Sequence, residues 1–146
     1  MKTILVATDG SDSSERALAF AIQLARETGA SLEIVSVRPQ WSTGGTGNAT
    51  LEGDKDRASE RVAEDAATRA RGEGVVSTAR VLEGDTVSCI VDTARRVHAE
   101  LLVVGSRGLG SMSGAMLGSV SQALVRRSPV PVTVVHHGRA LSTVRT

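Results

Sequence analysis

The sequence predicts an α/β fold in which a parallel sheet lies between two layers of helices. Short apolar runs rich in β-branched residues alternate along the chain with segments whose apolar positions recur at helical spacing. Turn-forming residues separate the two kinds of segment. The length of 146 residues and the hydrophobic content of 40% suit one domain with a substantial core. Alternation of this kind is typical of a parallel sheet with helices on both faces.

Five apolar runs are predicted as strands. Gly, Pro, Asp or Ser, the residues that favour turns, lie beside these runs. We place the strands at residues 3–8, 31–37, 75–82, 101–104 and 130–136.

Four helices are predicted between the strands. In the first, Ala17, Leu18, Ala21 and Ile22 recur at helical spacing, and Gly29 ends the helix. The second is rich in charge and Ala, and Asp85 is suited to cap the third. We place the helices at residues 14–28, 54–71, 86–98 and 120–127.

Two segments fall outside this alternating pattern. Residues 40–50 are rich in Gly, Ser and Thr and are predicted to have little regular structure. They contain Trp41, for which a lid, a partner contact and a merely exposed side chain all remain open. Residues 138–146 are expected to form a flexible tail after a single domain at residues 1–137.

Composition argues against several function classes. The formal net charge is +1, and one Trp, one Phe and no Tyr give no aromatic platform for nucleic-acid bases. No apolar run approaches the roughly twenty residues of a membrane span, and the first run meets Asp9 too early for a signal peptide. The single cysteine, Cys89, has no partner for an internal disulfide. We therefore expect a cytoplasmic protein that binds neither nucleic acid nor membranes.

The most informative segment is the glycine-rich stretch at residues 105–119. It follows the apolar run at 101–104 and precedes the helical segment at 120–127. A strand that leads through glycines into a helix presents backbone N–H groups and a helix N-terminus, both of which suit phosphate. We therefore predict a phosphate-binding loop.

The spacing within this segment distinguishes between phosphate motifs. A Walker-A loop needs a Lys, which the segment lacks, and the dinucleotide motif needs its third Gly where Ser113 stands. The segment does contain Gly105, two residues, Gly108, nine residues, Gly118 and then Ser119. This spacing resembles the nucleotide-binding signature of the universal stress protein family, in its ATP-binding branch.

The resemblance extends over residues 2–136. Residues 4–11 resemble the family's first strand and loop, and residues 99–108 its fourth strand and loop. The resemblance implies a Rossmann-like, adenine nucleotide alpha hydrolase-like three-layer sandwich with a five-stranded parallel sheet of order 3-2-1-4-5. In that order the loops after the first and fourth strands are neighbours at the switch point, where ligands bind in such sheets.

The resemblance also implies an ATP site, with Mg²⁺ or Mn²⁺ carried on the phosphates rather than in a protein cage. No catalytic residue is assigned. The residues expected to contact the nucleotide follow strand ends or begin the last helix. They are Ala7, Thr8 and Val37 at the adenine, Asp9 at the ribose or metal, Val104, Gly105 and Gly108 at the ribose and first phosphate, and Gly118, Ser119, Val120 and Ser121 at the outer phosphates.

These residues also have purely structural interpretations. Asp9 suits a turn or a helix cap, and Ser119 and Ser121 suit the capping of the helix that they begin. The backbone of Val37, rather than its side chain, is the part expected to meet adenine. Arg107 is either a solvent-exposed loop residue or a phosphate partner, for which Arg is well suited.

Three classes of function fit the sequence. The first is an ATP-binding universal stress protein, a nucleotide-dependent stress-response sensor or regulator with at most slow ATP hydrolysis, because no catalytic base, arginine finger or Walker Lys is identifiable. The second is a small ATP-pyrophosphatase-like enzyme, whose Ser-Gly-Gly-x-Asp-Ser loop is only loosely matched by residues 9–14. The third is a nucleotide-free or cAMP-binding dimerising module, although nucleotide-free branches of the family lack the glycine pattern that this chain keeps.

The last predicted strand, which begins at Val130 and ends at His136, lies at a sheet edge in the order 3-2-1-4-5. An apolar edge promotes association unless it is paired. The family pairs this edge across a twofold axis, so the resemblance implies a homodimer. A further protein partner and the signal sensed are left open.

Overall fold

The computed structural model describes residues 1–38, 49–107 and 117–136, without the side chains of residues 49–56. The predictions for Gly108, Trp41 and the tail at residues 138–146 lie outside this part of the chain. The described ranges contain five strands and four helices. In chain order they are β1 (Thr3–Ala7), α1 (Asp12–Thr28), β2 (Ser31–Arg38), α2 (Ala49–Gly72), β3 (Ser77–Glu83), α3 (Thr86–Arg96), β4 (Leu101–Gly105), α4 (Ser119–Arg127) and β5 (Val132–Val135).

The strands form one parallel sheet of order β3-β2-β1-β4-β5, which confirms the predicted fold class and strand order. β1 lies at the centre, where Ile4 pairs with Leu32 of β2 on one side and with Leu101 of β4 on the other. The strand order reverses between β1 and β4. The loops that follow these two strands therefore flank the crevice in which ligands of such sheets bind.

Two apolar clusters cover the two faces of the sheet. Because side chains alternate along a strand, Ile4 and Val6 pack on the side of α1 and α2, whereas Leu5 packs on the side of α3 and α4. These three side chains of β1 are completely buried. On the second side Leu124 anchors α4 and is also completely buried. The helices thus cover both faces of the central strands, whose carboxyl ends carry the loops of the switch point.

Local capping decides where the helices begin and end. α1 begins at Asp12, two residues before the predicted start, because the Ser11 hydroxyl accepts a hydrogen bond from the Ser14 N–H at 3.3 Å. Gly29 ends α1 as predicted, with φ of 75° and its N–H donated to the Ala25 carbonyl at 2.8 Å. α3 ends at Arg96, two residues before the predicted end near residue 98, and His98 adopts φ of 53°.

Three other elements begin two or more residues away from their predicted starts. α2 begins at Ala49 rather than at residue 54, so the last two residues of the segment 40–50 belong to a helix. β3 begins at Ser77 rather than at residue 75, although Val75 is buried. β5 covers Val132–Val135 rather than residues 130–136 because Pro131, which has no N–H, precedes the paired residues.

Among the described residues, no helix combines the length and the apolar character that crossing a membrane requires.

Candidate nucleotide-binding site

The carboxyl ends of β1, β2 and β4 bring three of the predicted site residues to one face of the sheet. Ala7, Val37 and Val104 all pack with the apolar cluster on the side of α3 and α4. Val104 is buried, whereas Ala7 and Val37 are half-buried and keep part of their apolar surface open. The structure therefore brings these residues together from three neighbouring strands, which suits the apolar face of a planar ligand.

The loop after β1 is held together by hydroxyl groups. Thr8 is buried, its N–H donates to the Val35 carbonyl at 2.9 Å, and its hydroxyl donates to Ser14 Oγ at 3.1 Å. Ser14 Oγ also accepts from the Asp9 N–H at 3.3 Å and donates to the Ser11 carbonyl at 2.9 Å. The Thr8 hydroxyl and its backbone N–H are thus both engaged within the protein.

Asp9 makes the turn that its residue type suggested. It is half-buried, and its Oδ1 accepts a hydrogen bond from the Ser11 N–H at 2.9 Å. The helix cap of α1 is Ser11 rather than Asp9. The turn fixes the Asp9 carboxylate just beyond the end of β1, at the switch point of the sheet.

The two ends of the glycine-rich segment meet at Ser106. Its carbonyl accepts hydrogen bonds from the Gly118 N–H at 2.7 Å and from Ser121 Oγ at 3.1 Å. Its own N–H donates to the Val135 carbonyl of β5 at 3.1 Å. Gly105 and Gly118, which are distant in sequence, are therefore brought to the same end of β4.

The first turn of α4 presents its backbone to the surface. Gly118 is the N-cap and offers no side-chain hydrogen bond to the helix, while Ser119 and Val120 are exposed. The first N–H groups of a helix lack intrahelical partners, and the helix dipole adds a partial positive charge there. This end of α4 can therefore bind an anion such as phosphate.

Ser121 differs from its neighbours in the same turn. It is 3% exposed, and its hydroxyl lies within hydrogen-bond distance of the carbonyls of Ser106 (3.1 Å) and Gly118 (2.9 Å). Its side chain therefore holds α4 against the end of β4, and its contribution to anion binding is limited to its backbone.

Sequence reasoning missed the contact that joins α1 to this segment. The Arg107 N–H donates to Ser13 Oγ at 3.1 Å, and Ser106 Oγ lies 3.5 Å from the same atom. Residues 9–14 match the ATP-pyrophosphatase loop only loosely, and we predicted no contact for Ser13 from the sequence. The hydroxyl residues clustered at positions 11–14 are the sequence signal, but only the fold shows which of them faces β4.

Among the described side chains no group of three His, Cys, Asp or Glu residues has a metal-binding arrangement.

A surface cleft with a volume of about 550 Å³ lies between α2 and β3, away from these strand ends, and contains none of the predicted site residues. Its lining mixes both signs of charge: Arg57, Glu60, Arg61, Ala63, Glu64, Asp65, Ala79 and Val81.

Fold and site together define a doubly wound α/β protein with a candidate anion site at its switch point. The universal stress protein family model matches residues 1–136, and the chain belongs to that family. A universal stress protein from Thermus aquaticus is 36% identical in an alignment of 143 positions that covers 92% of this chain and 98% of the relative.

Solved structures of family members share this fold. A protein of the universal stress protein family from Burkholderia pseudomallei is 30% identical with a TM-score of 0.77, over 92% of this chain and 95% of that chain. A universal stress protein crystallised in complex with cAMP is 34% identical with a TM-score of 0.71, over 94% of this chain and 98% of that chain.

Proposed function

We propose that this protein binds an adenine nucleotide, ATP in the first place, and acts as a nucleotide-dependent stress-response regulator in the cytoplasm. One observation carries the proposal: the N-terminus of α4 has no side-chain cap, and the Gly118 to Ser106 hydrogen bond of 2.7 Å holds it beside the end of β4. Phosphate is the ligand that such a helix end suits best. A family member that is 34% identical was crystallised in complex with cAMP, which supports an adenine nucleotide as the ligand that supplies this phosphate.

The proposed ligand extends from the apolar strand ends to α4. Adenine contacts Ala7, Thr8 and Val37, and the ribose lies near Asp9, Val104 and Gly105. The phosphates accept hydrogen bonds from the N–H groups of Ser119, Val120 and Ser121, and Gly118, whose N–H is donated to the Ser106 carbonyl, lets the backbone come close to the outer phosphates. Gly108 and Arg107 belong to the same proposal as contacts on the phosphate side, Arg107 because a guanidinium matches phosphate geometry.

A divalent cation would bind at this site only together with the nucleotide, because its ligands would be the Asp9 carboxylate and the phosphates. Mg²⁺ keeps several waters and is commonly held by one or two carboxylates and by substrate phosphates. Asp9 supplies one such carboxylate at the end of β1. Mg²⁺ or Mn²⁺ bound there would neutralise phosphate charge, so ATP affinity should fall when chelator removes the cation.

We infer that ATP hydrolysis, if it occurs, is slow. Fast phosphoryl transfer requires cationic groups that stabilise the transferring phosphoryl. The sequence has no Walker-A Lys and no identifiable arginine finger or catalytic base, and Arg107 is proposed only as a contact to the bound phosphates. The proposed role is therefore binding of ATP, with nucleotide state rather than turnover as the signal.

Cyclic AMP is the second candidate ligand because a close structural relative was crystallised with it. Isothermal titration with ATP, ADP, AMP and cAMP in the presence of Mg²⁺ measures each affinity and so distinguishes ATP from cAMP as the preferred ligand. We expect micromolar affinity for ATP and a weaker affinity for cAMP, whose single phosphate can use fewer of the α4 N–H groups. The reverse order would favour the cAMP-binding function.

Gly118→Val tests the location of the site. A Cβ at Gly118 would lie 3.3 Å from the Ser106 carbonyl oxygen and 3.5 Å from Arg107 Cα, so a branched side chain would crowd the α4 N-terminus. Gly72→Val is the matched control, because nothing lies within 4 Å of a Cβ at Gly72. We expect the first variant to abolish ATP binding and the second to retain it. A folded wild-type protein that binds no nucleotide would overturn the proposal and favour the dimerising module.

We also propose that the protein is a homodimer paired through β5. All four residues of this edge strand are half-buried, and Val125 of the preceding helix is 53% exposed. Light scattering should show a dimer at micromolar concentration. Val125→Asp should weaken the dimer, and Val76→Asp, at an apolar residue that is 75% exposed near the other edge, should not. A wild-type monomer would refute this proposal.

A further inference from the structure

We propose that Ser13, in the first turn of α1, is the positioning residue for the phosphate side of the site. Its hydroxyl fixes residues 105–107, and through them it fixes the N-terminus of α4. This inference rests on the proposed nucleotide site and names the side chain that holds the site in shape.

The Ser13 hydroxyl joins two elements that are far apart in sequence. Its Oγ accepts the Arg107 N–H at 3.1 Å and lies 3.5 Å from Ser106 Oγ. Arg107 directly follows Ser106 at the exit from β4, so one hydroxyl contacts two successive residues there. The first turn of α1 and the end of β4 therefore form one unit at the switch point.

Gly105 makes this approach possible. A Cβ at Gly105 would lie 2.5 Å from Ser13 Oγ and 2.7 Å from both the carbonyl carbon and the carbonyl oxygen of Ser13. Distances this short are not tolerated, so any side chain at Gly105 would push α1 away from β4. The first glycine of the signature therefore has a packing role towards Ser13, besides any contact with a ligand.

The constraint continues from Ser106 to α4. The Ser106 carbonyl accepts the Gly118 N–H at 2.7 Å and the Ser121 hydroxyl at 3.1 Å. Ser13 thus holds one side of residues 105–107 and α4 is held to the other side. Loss of the Ser13 hydroxyl would let the β4 exit move, and the N–H groups of α4 would move with it relative to the end of β1.

Ser13→Ala tests the role, with Ser77→Ala as the matched control. The Ser77 hydroxyl is likewise hydrogen-bonded to the backbone, at 3.2 Å from the Ala67 carbonyl oxygen, but Ser77 lies in β3 and is buried, whereas Ser13 is half-buried. We expect both variants to lose a similar, small amount of stability. Only Ser13→Ala should weaken ATP binding in isothermal titration, by about three- to tenfold, the range that one hydrogen bond accounts for.

Amide hydrogen exchange in the absence of nucleotide supplies the second readout. Ser13→Ala should speed the exchange of the Arg107 amide, which loses its acceptor, and Ser77→Ala should leave it unchanged. Weaker ATP binding with unchanged Arg107 exchange would mean direct contact between Ser13 and the ligand, which overturns the positioning role. Faster exchange with wild-type affinity would overturn it as well.

The two readouts separate this inference from the proposed function. If the wild-type protein binds no nucleotide, the proposed function fails, and the exchange rate of Arg107 alone decides whether Ser13 holds the β4 exit. If the wild type binds ATP and Ser13→Ala changes neither readout, the proposed function stands and the inference is refuted.

Discussion

Gly105→Ala is the substitution for which the structure makes the sharpest prediction. The new methyl group would lie 2.5 Å from Ser13 Oγ and 2.7 Å from the carbonyl carbon and oxygen of Ser13. Two of these three atoms belong to the backbone of α1, which a change of side-chain rotamer cannot move. The first turn of α1 must therefore shift away from β4, or β4 must bend.

The expected loss of stability follows from two opposing effects. Forcing an extra methyl group into a packed contact costs about 1–3 kcal/mol, and backbone contacts favour the upper half of that range. Replacing Gly by Ala reduces the entropy of the unfolded chain and restores about 0.4–1 kcal/mol. The net loss is about 2 kcal/mol, which lowers the Tm by about 4–8 °C for a domain of this size.

Thermal unfolding followed by circular dichroism measures this loss, at one fixed protein concentration because dimerisation would make the Tm concentration-dependent. Gly72→Ala is the control: nothing lies within 4 Å of a Cβ there, and the position is helical. Since Ala favours helix over Gly, the control should be unchanged or more stable by up to about 1 kcal/mol. A Tm for Gly105→Ala equal to or above that of the wild type would refute the packing argument.

Three further predictions concern the core, a helix cap and the cysteine. Leu124→Ala, at a completely buried residue that anchors α4, should cost about 2–5 kcal/mol in urea unfolding; a cost below about 1 kcal/mol would contradict this packing. The hydrogen bond from the Ser88 N–H to Asp85, at 2.9 Å, holds the pKa of that carboxyl below its ordinary value, and the charge of Arg127 contributes to the same shift. A lowered pKa adds stability above the unfolded-state pKa of about 4 and removes it as the pH falls through the folded-state value. Asp85→Ala should therefore lower the Tm at neutral pH, and its difference from the wild type should shrink in acid; a difference independent of pH would count against the cap. Burial raises the pKa of the Cys89 thiol, so iodoacetamide should alkylate it more slowly than free cysteine near pH 8, and an equal or faster rate would be inconsistent with that environment.

Local patterns in the sequence predicted the strands and helices, and the resemblance to the universal stress protein family added the order of the strands in the sheet. Apolar runs, helical spacing, helix-favouring composition and a cap residue predicted every strand and helix that the described residues contain, because each of these is a local pattern. The order of the strands was implied by the family resemblance, and the structure confirms it. The predicted ends of helices and strands differed from the structure by two residues where a cap or strand pairing sets the end, as at Ser11 before α1 and at Pro131 before β5.

The sequence by itself determined the α/β class, the order of elements and the glycine spacing at 105, 108 and 118, because each of these is a local pattern. Only the tertiary structure decided what the residues around that spacing contact. Ser13 meets Ser106 and Arg107 across 93 and 94 positions of the chain, and Ser121 turns its hydroxyl inward to Ser106. Such contacts arise when separate strands are placed side by side in the sheet, and no local repeat in the sequence records them.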